Sequence, residues 1–384
     1  MATRHVVHIG GYHPIDPQQA FTRASWDFSR FCTLWTLSGT LTSEGPACGN
    51  AVVWNVSLAG KDWQKHTHYH FFRWDDLIAE ERQRHWLSRL PLGLWALMDF
   101  MLGGVILRYL ATSWRYTLFF LYPLIILAVF AGLSWFVAGF AASGLVRIAV
   151  AMALFAAALP VLGNRIYLDH LLDDWIHARQ LVRAPAEKVD ERLDGLAKEL
   201  AGAGGELLIV GHSLGAVLAI HLVAKLVDRG FPGKIRFASV GSSILKIGLH
   251  RRAARLRQQV AKVAGSGQLI WVDFQALNDV MNFYKSEPVA ALGLAAPPAQ
   301  TSIVRFRAAV APERYRRLER NFFKLHNQFV GSNDTKSRYD FQMLTLGPFS
   351  LEALVRSDDG ALSLLDGDGG LTEAGRAALN SHAA

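Results

Sequence analysis

The stretch LLIVGHSLGAVLAI, Leu207 to Ile220, combines two patterns that together decide the fold. Residues 207–210 have the length and apolar composition of a buried strand, and the residues after 215 have the small, apolar character of a buried helix. Between them lies G-x-S-x-G, with glycines at 211 and 215 and a serine at 213. We therefore predict a sharp strand-to-helix turn that presents the Ser213 hydroxyl above the edge of a sheet.

The rest of the chain alternates between short apolar runs and helical patterns. Helical patterns are strongest over 165–201 and 215–228, between several of the runs. This alternation predicts an α/β fold with a mostly parallel sheet flanked by helices. The runs that predict strands are 5–9, 51–58, 67–74, 206–210, 235–240, 269–273 and 302–310.

A long apolar block interrupts this pattern and predicts an inserted two-helix transmembrane hairpin. Residues 116–146 carry no charge, and the run 145–162 is broken only by Arg147. Because about 20 apolar residues cross a bilayer core, we predict transmembrane helices at about 117–140 and 145–163. A pair of buried helices in a large core is the alternative.

The apolar stretch 91–107 has Asp99 in its middle and is not predicted to cross. A third span would put the strands before and after the insertion on opposite sides of the membrane. We predict instead a helix that lies along the interface or packs on the domain. The predicted organisation is thus 1–90 and 164–356 for the α/β core, 91–163 for the membrane insertion, and 357–384 for a peripheral tail with a short helix at 371–380.

The net charge indicates which kinds of partner the protein binds, and the cysteine content bears on the redox state of its compartment. The chain of 384 residues has a net charge of +8 and a pI of about 9.6, which suits an anionic membrane surface or a nucleic acid. We favour the membrane, because no nucleic-acid-binding motif is present. Cys32 and Cys48 form no disulfide framework and no metal spacing, so we predict free thiols, with one bridge left open.

The orientation follows from the basic residues beside the predicted hairpin. Only Arg147 lies on the side of the turn, and the N-terminus lacks the apolar stretch of a secretory signal. The positive-inside rule therefore predicts two spans with the α/β domain in the cytoplasm. The arginines on the domain side are Arg108, Arg115, Arg165, Arg179 and Arg183.

The segment GHSLG, residues 211–215, between a strand and a helix resembles the nucleophile elbow of the α/β-hydrolase superfamily, especially its lipases and esterases. The resemblance is strong at the elbow and weak over the rest of the chain. It implies that Ser213 is a catalytic nucleophile. It also implies that the acid and then the base of a triad follow Ser213 along the chain.

Candidates for the base and the acid are few. Beyond residue 280 the histidines are His326 and His382, and His382 lies two residues from the end of the tail. We therefore predict His326 as the base, with a histidine on a surface helix as the alternative. The acid is predicted in the loop after LIWVD, where we favour Asp279, farther out in the loop, over Asp273, which is at the end of the strand.

The backbone amides of an oxyanion hole are predicted in two places. The resemblance implies the N–H of Leu214, together with amides near Gly11 and Tyr12 in HIGGYHPID. Ile9 separates the histidine from the glycines there, so the match is loose and a tight turn without function is the alternative.

No metal or cofactor is predicted. His66, His68 and His70 lie on one face of a predicted strand, but no carboxylate or cysteine stands at ligand spacing beside them.

These residues predict a membrane-anchored serine hydrolase that cleaves acyl esters, of lipid type, through an acyl-enzyme. An acyltransferase or a thioesterase would use the same triad and differ only in the acceptor. A non-catalytic membrane scaffold that keeps the fold is the alternative outside enzymes. The sequence leaves the chain length of the acyl group, the headgroup and the oligomeric state open.

Overall fold

The computed structural model describes residues 3–44, 50–140 and 144–380. At its centre is one eight-stranded sheet in the order β2-β3-β4-β1-β5-β6-β7-β8. Six strands, β4, β1, β5, β6, β7 and β8, run parallel to one another. The strand β3 is antiparallel to both β2 and β4. The strands are β1 Arg4–Ile9, β2 Ser38–Ser43, β3 Ala51–Ala59, β4 Gln64–Phe72, β5 Glu206–His212, β6 Ile235–Val240, β7 Leu269–Ala276 and β8 Gln300–Val304.

The sheet confirms an α/β fold with a mostly parallel sheet and corrects two strands. The edge strand β2 was not predicted, because SGTLTS offers only Leu41 as an apolar residue, and most of its side chains are exposed. The predicted strand 302–310 ends early at Val304, and Phe306–Ala309 forms a helical turn instead. At both places the apolar content of the sequence is a poor guide to the backbone.

Helices cover both faces of the sheet. On one face α7, α8 and α9 bury Val7 and Ile209, and on the other α1 and α16 bury Val6 and Leu208, as the two-residue period of strands requires. The bounds of the helices are α1 Pro17–Trp35, α2 Asp75–Arg82, α3 Trp86–Leu102, α4 Val105–Thr112, α5 Trp114–Ala138, α6 Gly144–Ala158, α7 Leu168–Leu181, α8 Glu187–Ala201, α9 Gly215–Asp228, α10 Ile244–Gly248, α11 Ala254–Ala264, α12 Pro288–Ala291, α13 Phe306–Ala309, α14 Pro312–Leu318, α15 Phe322–His326, α16 Phe341–Leu346, α17 Leu351–Arg356, α18 Ala361–Leu364 and α19 Glu373–Asn380. Shorter helical turns are Leu159–Gly163, Asn164–Ile166 and Asn327–Val330.

Two helices of the insertion are long and apolar enough to cross a membrane. They are Trp114–Ala138 and Gly144–Ile166, and the second consists of α6 followed by two short helical turns. Both helices begin and end within about three residues of the predicted bounds. Both are largely exposed, and α6 buries none of its side chains. Phe140, just after α5, is 86% exposed and Leu145, at the start of α6, is 83% exposed, so large apolar side chains are exposed at the outer end of the pair.

The helices α3 and α4 precede this pair and bend by 73° between them. Counted as one element they would be a third candidate span. The contacts of α3, however, are with the domain: Arg89 Nε lies 3.1 Å from the carboxylate of Asp173, and Arg179 Nε lies 3.3 Å from that of Asp99. Of the two predicted positions, along the interface or packed on the domain, these contacts favour the second.

The sequence predicted a peripheral tail after residue 356, but the structure packs part of this segment into the core. Leu364, Leu365 and Leu371 are buried in the same core as α1. The indole nitrogen of Trp63 donates to the backbone oxygen of Gly369 at 2.9 Å. The apolar side chains scattered through this glycine-rich segment therefore fix it to the domain.

Candidate active site

Ser213 lies on the turn between β5 and α9 in a strained backbone conformation. Its φ is +54°, in the left-handed region that non-glycine residues rarely adopt and that costs about 1–3 kcal/mol. Two backbone hydrogen bonds hold it there: its N–H donates to the oxygen of Val240 at 3.1 Å, and the N–H of Ser243 donates to its oxygen at 3.1 Å. The end of β6 thus stabilises the turn that the sequence predicted.

The glycines on either side of Ser213 are required by the close approach of three backbone segments. A Cβ atom on Gly215 would lie 2.1 Å from the backbone oxygen of Ile9, and one on Gly211 would lie 2.5 Å from the Cα of Ala216. Neither backbone group has room to move. The G-x-S-x-G pattern therefore has a steric cause in this fold.

His326 and Asp279 form a buried pair beside this turn. His326 ends α15, and its Nδ1 lies 2.7 Å from Oδ2 of Asp279. The side chain of Asp279 is 0% exposed and that of His326 is 3% exposed. The other ring nitrogen, Nε2, has no hydrogen-bond partner among the described residues. The imidazole is therefore oriented by the carboxylate through one nitrogen, while the second is available to a substrate or to the serine.

The loop that carries Asp279 is fixed by Asn282, a residue that was not predicted from the sequence. The side-chain amide of Asn282 donates to the backbone oxygens of Ala276 at 2.9 Å and Asp279 at 2.7 Å, and its oxygen accepts from the N–H of Ala276 at 3.3 Å. Oδ1 of Asp279 itself accepts from the N–H of Met281 at 2.9 Å. No sequence spacing distinguishes Asn282 from an ordinary loop asparagine.

The second candidate for the acid, Asp273, lies inside β7 and does not contact His326. Its carboxylate accepts hydrogen bonds from Ser239 Oγ and, at 2.7 Å, from the amide of Gln275. Burial raises the pKa of Asp273, and the two hydrogen bonds offset only part of this rise, so that the pKa is about 6. Of the two aspartates, only Asp279 lies within hydrogen-bond distance of the histidine.

His212 and Gly241 pack directly on His326 and were also missed. The rings of His212 and His326 have centroids 4.7 Å apart, and burial holds the pKa of His212 well below its ordinary value, so that this ring stays neutral. Gly241 has a φ of +53°, and a Cβ atom there would lie 2.9 Å from Cε1 of His326. A glycine directly after the buried strand β6 was the one available signal.

The loop after β1 approaches Ser213 closely. A Cβ atom on Gly11 would lie 3.0 Å from the Cβ of Ser213, and the ring of Tyr12 is anchored by a 2.9 Å hydrogen bond from its hydroxyl to Glu81. The N–H groups of Gly11, Tyr12 and Leu214 donate no hydrogen bond to the described backbone. These amides are thus free of backbone partners in the described part of the chain, and those of Gly11 and Leu214 belong to the segments next to Ser213.

Ser213 and His326 line one cavity of about 160 Å³. Its wall is largely apolar and includes side chains from α1, β3 and β4, and Met281 and Phe323 line it close to His326. The cavity is therefore large enough for a small apolar group, with the serine and the histidine in its wall.

The histidines of β4 are placed together but do not form a metal site. His66, His68 and His70 occupy every second position of the strand. Nε2 of His70 lies 3.2 Å from Nδ1 of His5 on β1. Within residues 3–44, 50–140 and 144–380, no group of three or more histidine, cysteine or acidic side chains is arranged to hold a metal ion.

Cys32 is a free thiol, and burial raises its pKa to about 11. Cys48 and His382 lie outside the described residues.

The arrangement brings a serine on a strained turn, a histidine–aspartate pair and free backbone amides to the carboxyl end of a parallel sheet, where ligands bind in open α/β folds. A serine nucleophile needs a base and hydrogen-bond donors close to it, and here Ser213 and His326 line the same cavity. Comparisons of the chain with protein-family models, with curated proteins and with solved structures each found no match.

Proposed function

We propose that the protein is a membrane-anchored serine hydrolase of the α/β-hydrolase superfamily that cleaves acyl esters. The observation that carries the proposal is the 2.7 Å contact between buried Asp279 and His326, because the ring of His326 lines the same cavity as Ser213. The order serine, aspartate, histidine along the chain is that of the superfamily. The eight-stranded sheet with a nucleophile elbow after a central parallel strand supports the same family.

The proposed reaction uses each of these groups in turn. Asp279 accepts the Nδ1–H of His326, so that Nε2 is the basic nitrogen and takes the proton of Ser213 as its oxygen attacks the acyl carbonyl. The amides of Leu214 and of the loop after β1 stabilise the oxyanion. His326 then gives the proton to the leaving alcohol, and an acyl-enzyme remains. Water, deprotonated by His326, attacks this ester, and the serine regains its proton as the acid leaves.

The membrane part of the proposal rests on the exposed apolar surface of α5 and α6. Phe136 is 69% and Leu145 is 83% exposed, and contiguous apolar surface of this extent is costly in water. A bilayer around the outer half of the pair would remove the cost. Because arginines flank the domain side, we place the domain in the cytoplasm. Cleavage of the domain by a protease added to intact spheroplasts would refute this orientation.

A lipid-type ester is favoured as the substrate by the place of the hairpin. Phe119 and Tyr122 of α5 contact Phe322, at the start of the helix that ends at His326, with ring centroids 5.7 Å apart in both cases. The proposed active site therefore lies beside the base of the membrane anchor. An apolar ester dissolved in the bilayer would reach the site over a short distance.

A fluorophosphonate probe tests the proposal directly, since it reacts only with a serine activated as a nucleophile. We expect the full-length protein in detergent to be labelled, and the Ser213→Ala and His326→Ala variants to remain unlabelled although they fold. An unlabelled wild-type protein would refute the hydrolase and leave the membrane scaffold. Labelled protein that transfers its acyl group to an added alcohol or amine faster than to water would identify an acyltransferase.

A further inference from the structure

We infer that the acyl chain of the substrate lies in the part of the cavity beneath α1, and that this part accepts a chain of at most about six carbon atoms. We call it the α1 arm, and the inference rests on the hydrolase proposed above. Its wall comprises the side chains of Ala20, Ala24, Phe28, Leu41, Trp54 and Val56.

The helix α1 provides one side of the arm with a stripe of small residues. Ala20, Ala24 and Phe28 stand four residues apart, so they lie on one face of the helix, and all three line the cavity. The two alanines leave room that longer side chains at these positions would fill. The space therefore results from the sequence of α1.

The outer strands provide the other side and the end of the arm. Trp54 on β3 stacks against Tyr69 and Phe71 of β4, with ring centroids 5.3 and 5.5 Å apart. These aromatic contacts hold Trp54 in place, and Leu41 of β2 stands beside it in the wall. Because packed rings do not withdraw easily, the length of the arm is limited.

The two charged residues of α1 that also line the cavity, Arg23 and Asp27, are already compensated. Asp27 accepts a hydrogen bond from the N–H of Ser332 at 3.2 Å, and its carboxylate lies 3.8 Å from Nε of Arg23. They present no unpaired charge to an acyl chain. The arm therefore suits an aliphatic group.

The opposite part of the cavity wall differs in chemistry. It includes His170 and Asp174 of α7, and the carboxylate of Asp174 is paired with Lys246. Burial lowers the pKa of His170 well below its ordinary value, so that the ring is neutral. A neutral imidazole and a closed ion pair are polar without an unpaired charge, which suits the alcohol part of an ester and leaves the α1 arm for the acyl chain.

The volume of the cavity sets the length. An apolar protein cavity of about 150 Å³ holds one benzene molecule, that is, six carbon atoms. The cavity of about 160 Å³ includes both the α1 arm and the part lined by His170 and Asp174, so the acyl chain is limited to about six carbon atoms or fewer. We expect kcat/KM for p-nitrophenyl esters in detergent to be highest for butyrate or hexanoate, and to be about tenfold or more lower for acetate and laurate.

A substitution that fills the arm tests its role. Ala24→Phe should lower kcat/KM for hexanoate by about tenfold or more and change that for acetate little, since pocket methylenes are worth this much. Ser29→Phe, at an exposed position of the same helix, is the matched control and should leave the chain-length profile unchanged. Leu41→Ala lengthens the arm and should shift the optimum toward laurate, which decides the question even if Ala24→Phe does not fold.

The outcomes separate this inference from the proposed function. An unchanged profile in both cavity variants, or a uniform loss for all chain lengths in Ala24→Phe with fluorophosphonate labelling retained, would overturn the α1 arm while the hydrolase stands. A response to the alcohol part in a series of alkyl acetates, with none to the acyl part, would overturn it as well. Absence of labelling in the wild-type protein would instead refute the hydrolase itself.

Discussion

The ring of Tyr116, in the first turn of α5, stacks on the ring of Phe283 with centroids 3.9 Å apart and planes inclined by 25°. Phe283 lies in the loop 277–286 that also carries Asp279. The base of the first candidate membrane span thus packs against the loop of the proposed catalytic acid.

Two hydrogen bonds add to this contact. Arg115 Nη1 donates to the backbone oxygen of Leu277 at 2.6 Å, and Ser286 Oγ donates to the backbone oxygen of Thr112 at 2.9 Å. They hold both ends of the same loop. The position of the acid therefore depends on the junction between α4 and α5.

Truncating the aromatic contact should slow catalysis without removing any proposed catalytic group. We expect Tyr116→Ala to lower kcat for a soluble short-chain ester by about 10- to 100-fold, because small displacements of a catalytic group are costly, and to change KM little. Leu133→Ala, at a 58% exposed position farther along α5, is the control and should retain wild-type kcat. Equal rates for Tyr116→Ala and the wild type would show that the junction does not position the acid.

The two aspartates should differ sharply in their effect on activity. Asp279→Asn places a neutral amide against Nδ1 of His326, which favours the wrong tautomer, and we expect kcat to fall by about 10⁴-fold. Asp273→Asn should cost much less, because its carboxylate contacts Ser239 and Gln275 instead. Ester hydrolysis by the purified variants checks this, and the reverse ranking would assign the acid to Asp273.

A methyl group at Gly241 should displace the histidine. The Cβ of Gly241→Ala would lie 2.9 Å from His326 and 2.8 Å from the ring of Phe329, so we expect kcat to fall by about tenfold or more. Gly230→Ala is the matched control. Its φ of +65° imposes a similar conformational cost, but nothing lies within 4 Å of the added Cβ. Similar losses in the two variants would attribute the effect to backbone strain alone.

The elbow was predictable from the sequence because its cause is local. The strand, the glycines and the helix are adjacent in the chain, and the same short stretch that predicted Ser213 also predicted α9 with its bounds Gly215–Asp228. The hairpin was predictable for a similar reason, since long uncharged runs need no knowledge of tertiary contacts.

The rest of the site depends on contacts between distant segments. Asp273 and Asp279 are both acidic residues after one apolar run, and only the loop geometry imposed by Asn282 brings one of them to His326. Gly241 faces His326 across 85 residues of chain, so no local pattern connects the two.

The break between α7 and α8 was not predicted, although Pro185 within the predicted helical pattern 165–201 is a clear signal for it.

The burial of Asp273 should appear in the pH dependence of stability. Its pKa is raised to about 6 from an ordinary 3.8, so the folded state favours the protonated carboxyl. This contribution is fully present below about pH 4 and is lost as the pH rises through about 6, and it is on the order of 3 kcal/mol. Asp273→Asn does not titrate. Urea unfolding in detergent should therefore show the wild type losing stability relative to the variant between pH 4.5 and 7, and parallel pH profiles would contradict this.

Shortening the hairpin should separate catalysis from access to the bilayer. α3 cannot be removed with it, because Ala96, Leu97 and Phe100 are buried in the main core. The exchange of residues 131–154 for a short flexible linker spares these contacts and the buried start of α5, and it leaves a remnant of α6 shorter than the roughly 20 residues that a span needs.

We expect the shortened protein to leave the membrane fraction and to keep kcat/KM for a soluble butyrate ester within about threefold, since no proposed catalytic group is touched. Its activity on an ester embedded in vesicles should fall by about tenfold or more, because the enzyme no longer concentrates at the bilayer. An equal loss on both substrates would mean that the outer hairpin is needed for folding. Undiminished activity on the vesicle substrate would show that the apolar ester reaches Ser213 through water, and the proposed role of α5 and α6 in delivering substrate would be wrong.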